Sequence, residues 1–223
     1  MAVTFDDGPS PYTASLISQF DAAGFNTTLF VNGYSNPQWC IYDSTFVTTL
    51  RNALPRHQIA SHTFTHQHLP LLSSSTLSTE FDKTDTAMKK ILGLKSTFFR
   101  PPFGELSSAA LTTAASKGFT HAVMWDKDSM DANDNPMTLA QQKAQYTAAF
   151  EDSRRGTGGL GHIFLNHDIK EATVRDLVPF VISEAKRTGV KLVTVGECLG
   201  VAKSAWYREV GSQGARDSSW TCA

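Results

Sequence analysis

At 223 residues, 41% of them hydrophobic, the chain is large enough to bury a core of its own as a single domain spanning 1–223. A net charge of −1 gives no support for a nucleic acid or an anionic membrane as partner. No apolar run approaches the roughly 20 residues of a membrane span.

The first predicted element is the strand Ala2–Phe5, which stops at two adjacent carboxylates, Asp6 and Asp7, before Gly8-Pro9 turns the chain away. No signal-peptide pattern precedes it, so further natural sequence is expected upstream of Met1. Neighbouring strand residues point to opposite faces, so two acids are useful together only at a strand end, where both can lean into one cleft. Their mutual repulsion calls for a cation between or beside them.

A helix follows over Tyr12–Ala23, with Leu16, Ile17 and Phe20 as its apolar stripe and Gly24 as its stop. Next come a strand at Thr27–Val31, a loop carrying Tyr34, Trp39 and Cys40, and a helix near Ser44–Leu54. Gln58–Ser61 is a short strand ending at His62, and Ser75–Leu92 is a helix. Ser96–Phe99 is a strand that Pro101 and Pro102 forbid from continuing past Arg100. A helix at Ser107–Lys117, a strand at Thr120–Trp125 and a helix from Pro136 to about Glu151 follow. The strand His162–Asn166 ends at His167-Asp168, a helix runs from about Glu171 to Thr188, and Val190–Val195 is the last strand.

Seven strand–helix units with short connections predict a parallel α/β fold, a distorted (β/α)7 barrel, with an open doubly wound sheet as the alternative. No G-x-G-x-x-G or phosphate loop follows a strand, which argues against nucleotide binding. Asp6, Asp7, His62, His66, Arg100, Asp128, Asp131 and His167 all fall at strand C-terminal ends, the edge where such folds build their sites.

His62 and His66 are four apart and, with one carboxylate from the Asp6-Asp7 turn, make a two-histidine, one-carboxylate metal set. Zinc fits these ligands, and iron(II) is not excluded by their type. His68 reads as a neighbouring loop residue, and His57, His121 and His162 as structural. The run Asp126–Asp134 lacks the sixth-place glycine and twelfth-place glutamate of a calcium loop, where Asp131 and Met137 stand, and calcium is rejected. The cysteines Cys40, Cys198 and Cys222 have neither CxxC nor zinc-finger spacing, and their pairing stays open. Low charge and abundant Ser and Thr point toward an extracellular protein.

Five stretches, in order, resemble the motifs of the polysaccharide deacetylase family of carbohydrate esterases: Thr4–Pro9, Ser61–His66, Arg100–Gly104, Asp128–Asp131 and Leu165–Asp168. Phe30–Gly33 and Thr194–Gly200 look most like the fungal chitin deacetylases. The resemblance implies a (β/α)7 barrel, a zinc-type metal with cobalt as a substitute, a secreted or cell-wall location, and chitin or chito-oligosaccharide as the substrate of a monomeric enzyme. Ala132 departs from the pattern, because the family usually has a tryptophan there.

The chemistry then assigns expected roles. Asp7, His62 and His66 hold the metal; Asp6 is the general base, aimed by Arg100. His167 is the acid, oriented by Asp131, with Asp128 as the less favoured orienter. The Phe103 N–H faces the oxyanion, Leu165 walls the acetyl methyl, and Trp39 with Tyr34 offers aromatic surface to sugar rings. Acetylxylan esterase and peptidoglycan deacetylase share this machinery and remain alternatives, as does a non-catalytic carbohydrate-binding protein, against which the filled catalytic positions argue.

Overall fold

The computed structural model describes residues 1–36, 38–132, 137–155 and 161–222. In chain order the elements are β1 (Ala2–Asp6), α1 (Thr13–Ala23), β2 (Thr28–Val31), α2 (Ser44–Ala53), β3 (Gln58–Ser61) and α3 (Ser74–Leu92). Then follow β4 (Lys95–Ser96), β5 (Phe98–Phe99), α4 (Ser108–Ser116), β6 (His121–Ala122), β7 (Lys127–Asp128) and α5 (Leu139–Arg155). The chain closes with β8 (Ile163–His167), α6 (Val178–Thr188), α7 (Val195–Cys198) and β9 (Tyr207–Arg208). Seven strands pair in parallel in the order β6-β5-β3-β2-β1-β8-β7, a curled sheet with helices outside it, which is the expected (β/α)7 architecture.

The strand number is as expected, but two of the strands differ. Of Thr120–Trp125 only His121–Ala122 is a strand, β6, which pairs with β5 at one margin of the sheet, and an additional strand, β7, forms past it in the acidic run and pairs with β8 at the other. The segment between them crosses the gap where a closed barrel would have a continuous ladder. Val190–Val195 is not a strand either, because Val193 makes only an isolated bridge to Ala2. At Thr194 a capping box with Glu197 starts α7 instead. A two-stranded antiparallel ribbon, β4 with β9, ties the tail back to the body. The expected helix start at Pro136, and Asp134 of the acidic run, lie outside the described residues.

Strand alternation sorts the core into two parts. Val3, Phe5, Leu29, Val31 and Ile59 face outward and pack against the helices with Leu16, Phe20, Leu50 and Met88. The Phe5 and Phe20 rings meet edge to face at 5.9 Å, and burying each contributes about 1.5–3 kcal/mol. Ala2, Phe30, Ala60 and Phe98 face inward with Val195 and Trp206. Small side chains at Ala2 and Ala60 leave the sheet interior room for one large polar residue. That residue is Arg100, which is fully buried. The bottom is plugged by Trp206, whose indole Nε1 lies 2.2 Å from where a Cβ on Gly196 would stand, so a side chain cannot be accommodated there. A disulfide joins Cys40 to Cys222, leaving Cys198 free.

Candidate active site

The C-terminal ends of the central strands converge on a pocket of about 340 Å³ lined by Asp6, Asp7, His62, His66, Phe103, Leu165 and His167, with Pro101, Trp125, Asp128 and Ala132 completing it. Asp6 ends β1 and points inward with Ala2 and Thr4. Asp7 reaches the same cleft because its backbone turns left-handed, at φ 72°. Thr63, His66, Phe103 and Met130 also have positive φ, so strained non-glycine residues gather around this pocket at a cost of about 1–3 kcal/mol each. Gly8 is obligatory here, since a Cβ would stand 2.3 Å from the buried Asp168 carboxylate.

Asp7, His62 and His66 offer ligand atoms that lie within 4.8 Å of one another. Asp7 Oδ1 sits 3.5 Å from His62 Nε2 and 3.3 Å from His66 Nε2. His62 Nδ1 lies 2.8 Å from the Arg100 carbonyl, which can only accept, so its proton is on Nδ1 and the Nε2 lone pair faces Asp7. Burial holds the His62 pKa well below the ordinary value, with His66 nearby adding to the effect, so the ring is neutral as a ligand requires. Asp7 Oδ1 is buried with no hydrogen-bond partner among the described residues. An orphaned carboxylate oxygen facing two imidazole nitrogens fits a divalent cation.

Behind Asp6 stands Arg100, whose Nη1 donates to Asp6 Oδ1 at 2.8 Å and to Thr4 Oγ1 at 2.7 Å. Its guanidinium lies 4.1 Å from the Phe30 ring centroid and 5.5 Å from that of Trp125. Burial raises the Asp6 pKa to about 6 despite the opposing Arg100 charge. Across the pocket His167 Nδ1 lies 2.7 Å from Asp131 Oδ1, and Asp131 Oδ2 accepts from the His167 amide and from Thr173 Oγ1. Burial pushes His167 down, but the hydrogen bond and charge of Asp131 outweigh it and lift its pKa to about 9. Asp131 is thus the carboxylate bonded to the His167 ring, while Asp128 accepts from the Met130 amide at 2.7 Å.

Tyr34 and Trp39 are not among the residues lining this pocket. Their loop is drawn over the outer core: the Tyr34 amide donates to the Phe64 carbonyl at 2.7 Å, Trp39 pairs with Asn36, and Cys40 is held by its disulfide. The aromatic surface comes from Phe103, 51% exposed, and from Trp125. His68 stacks on Phe103 at 3.9 Å and pairs with Glu105. His57 accepts from the Thr27 amide, His121 stacks on Phe98, and His162 pairs with Asp126.

Three positions around the site receive no role from the motifs. Trp125 reads as the last residue of a strand, yet it lies on the crossing between the two margins of the sheet. Asn32 joins the two halves of the site: its amide N–H donates to the Gly8 carbonyl and its side chain to the carbonyls of His62 and Thr63. Glu80 stands on the buried face of α3 beside Leu77, Phe81 and Met88, and a charge on a buried helix face is itself a signal of a built contact.

The polysaccharide deacetylase family model matches residues 1–122, more than half of the chain. This chain belongs to the polysaccharide deacetylase family. The deacetylase match stops before Asp131 and His167, but alignments with whole relatives run past both. A chitin deacetylase of Pestalotiopsis sp is 35% identical over 211 residues, covering 94% of this chain and 67% of that protein. A chitin deacetylase of Arthroderma benhamiae is 30% identical over 93% of this chain, which spans only 54% of its length. The solved chitin deacetylase of Colletotrichum lindemuthianum superimposes with a TM-score of 0.83 at 29% identity, covering 95% of this chain and 92% of that chain.

Proposed function

We propose that this protein is a metal-dependent N-deacetylase that releases acetate from N-acetylglucosamine units of chitin or chito-oligosaccharides, with residues 1–223 serving as its catalytic domain. The observation that carries this reading is the single pocket in which an orphaned Asp7 oxygen faces two histidines while a buried base and a protonated imidazole flank it. The chemistry needs all of these parts, because an amide carbonyl is a weak electrophile and an amine leaves poorly unless protonated.

Asp7, His62 and His66 would hold a divalent cation, zinc or cobalt in its place. When bound, the cation supplies Lewis acidity that polarises a carbonyl and acidifies water. Asp6 uses Oδ1 to accept from Arg100, leaving Oδ2 to take the proton of the attacking water. The Phe103 N–H donates to the oxygen that gains negative charge. His167, tied to Asp131 through Nδ1, gives its Nε2 proton to the departing nitrogen. Leu165 lines the pocket and packs on the acetyl methyl. Phe103 and Trp125 present flat apolar faces to pyranose C–H groups, and Trp125 stands in for the aromatic wall that Ala132 does not supply. The Cys40–Cys222 disulfide supports an oxidising, secreted or cell-wall location, and a monomer suffices because the pocket is complete within one chain.

The test is mass spectrometry of chito-oligosaccharides incubated with the protein, alone, with chelator, and with zinc or cobalt added back. Loss of one acetyl mass per reaction, abolished by chelation and restored by either ion, is the expected result. Turnover by a rigorously metal-free preparation would overturn the metal assignment. Release of acetate from acetylated xylan, with chito-oligosaccharides untouched, would move the substrate to the ester alternative.

A further inference from the structure

The stretch His62–His66 leaves β3 and forms neither helix nor strand, yet the backbone of its first four residues is held by groups outside it. The His62 amide donates to the Val31 carbonyl and the Thr63 amide to Ser61 Oγ. The Asn32 side chain donates to the carbonyls of His62 and Thr63, at 2.6 and 3.0 Å. The amides of Gly33 and Tyr34 donate to the Phe64 carbonyl. The amides of Phe64 and Thr65 and the Thr65 hydroxyl are donors as well, and one group accepts from all three. Glu80, in α3 and 5% exposed, takes Phe64 N at 3.0 Å and Thr65 N at 2.8 Å on Oε2, and Thr65 Oγ1 at 2.6 Å on Oε1.

This loop holds two left-handed non-glycine residues, Thr63 at φ 67° and His66 at φ 55°, one on each side of the pair that Glu80 grips. Such a conformation persists only where surrounding bonds over-determine it. The Phe64–Thr65 peptide is anchored to α3 through Thr65 N, and the Thr65 side chain through its hydroxyl, so the residue from which the chain turns into His66 is fixed at both points. Asn32 holds the loop by its carbonyls and Glu80 by its amides, so the loop is clamped from opposite sides.

We propose that Glu80 is the positioning residue that fixes the affinity of the Asp7–His62–His66 site for its cation, by holding the left-handed loop that aims His66 at Asp7. This rests on the metal reading above. Glu80 touches neither cation nor substrate. Its effect passes through two backbone amides, and so it reaches the metal before it reaches the rate.

The experiment uses the full chain, stripped of metal, with zinc titrated against a chromophoric chelator, alongside thermal melts of zinc-free and zinc-loaded protein. Glu80→Gln keeps the side-chain volume but has one acceptor oxygen in place of two and no charge to grip the two amides, and it is expected to lose about 10- to 100-fold in zinc affinity. Its zinc-induced rise in Tm shrinks accordingly. Asp85→Asn is the control for general damage, because Asp85 is a buried acid on the same helix whose partner is Arg208. That variant is expected to melt lower with and without zinc while binding zinc as wild type does. Thr65→Val, which removes only the hydroxyl bond, gives a smaller loss and serves if Glu80→Gln does not fold. Affinity within about twofold of wild type in a folded Glu80→Gln, or an equal loss in Asp85→Asn, overturns the proposal. A wild-type chain that binds no zinc overturns the metal reading itself, and this inference with it, whereas tight wild-type binding with an unaffected Glu80→Gln overturns the inference alone.

Discussion

The proposed reaction asks opposite proton tasks of two side chains, and the pocket gives the two different surroundings. Burial raises Asp6 to about 6, and the Arg100 guanidinium keeps it from rising further. For His167 burial works downward, but Asp131 prevails and holds the imidazolium to about 9. Between these values Asp6 is an ionised base while His167 still carries its proton, so kcat/KM should be bell-shaped in pH. A cation at Asp7 draws both values down together, because positive charge favours the carboxylate and disfavours the imidazolium. Asp131→Asn removes the charge that raises His167. The expected result is an alkaline limb displaced to lower pH with the acid limb unmoved, measured as kcat/KM from about pH 5 to 10. An alkaline limb that stays in place would mean that some other group sets it.

Among the elements, what was legible in the sequence is what local chemistry determines. β1 ends at the Asp6-Asp7 turn, β3 ends before His62, and α3 carries its stripe through Leu77, Phe81 and Met88, because periodicity and turn residues decide each of these. The misreadings share a cause of a different kind. His121–Ala122 and Lys127–Asp128 are strands only because β5 and β8 offer them ladders from opposite margins, and no local pattern marks where the first stops or that a second starts beyond Trp125. The same holds in the site: ligands at strand ends could be read from spacing, but Trp125 and Glu80 act through contacts distant in sequence. The disulfide is another such contact, joining residues 182 apart and fastening the tail to the loop that follows β2. Trp220, 5.6 Å from the Tyr42 ring, packs beside it. Cys222→Ser should cost about 2–5 kcal/mol, the usual range for losing a native disulfide. That corresponds to a drop in Tm of about 5–15 °C for a chain of this size, and reductant should lower wild type to match. Because the pocket's lining residues lie outside that loop, zinc affinity is expected to survive, and a chelator-competition titration of the variant checks it.

At the scale of the whole molecule, a net charge of −1 gives an acetylated, uncharged polymer nothing to be steered by. The value of kcat/KM on chito-oligosaccharides should therefore change less than about twofold across a roughly tenfold change in salt, and a steep decline would reveal a charged subsite outside the pocket. The sheet itself curls without meeting its own far side: among the described residues, β6 pairs only with β5 and β7 only with β8. A ladder left open normally invites a neighbouring molecule to extend it, which is how soluble proteins begin to fibrillise or swap strands. Here each margin is only two residues long, His121–Ala122 on one side and Lys127–Asp128 on the other, and one of them carries both a lysine and an aspartate. An incoming strand would find too short a foothold to offset the entropy of ordering itself, so the gap can stay open without making the protein adhesive.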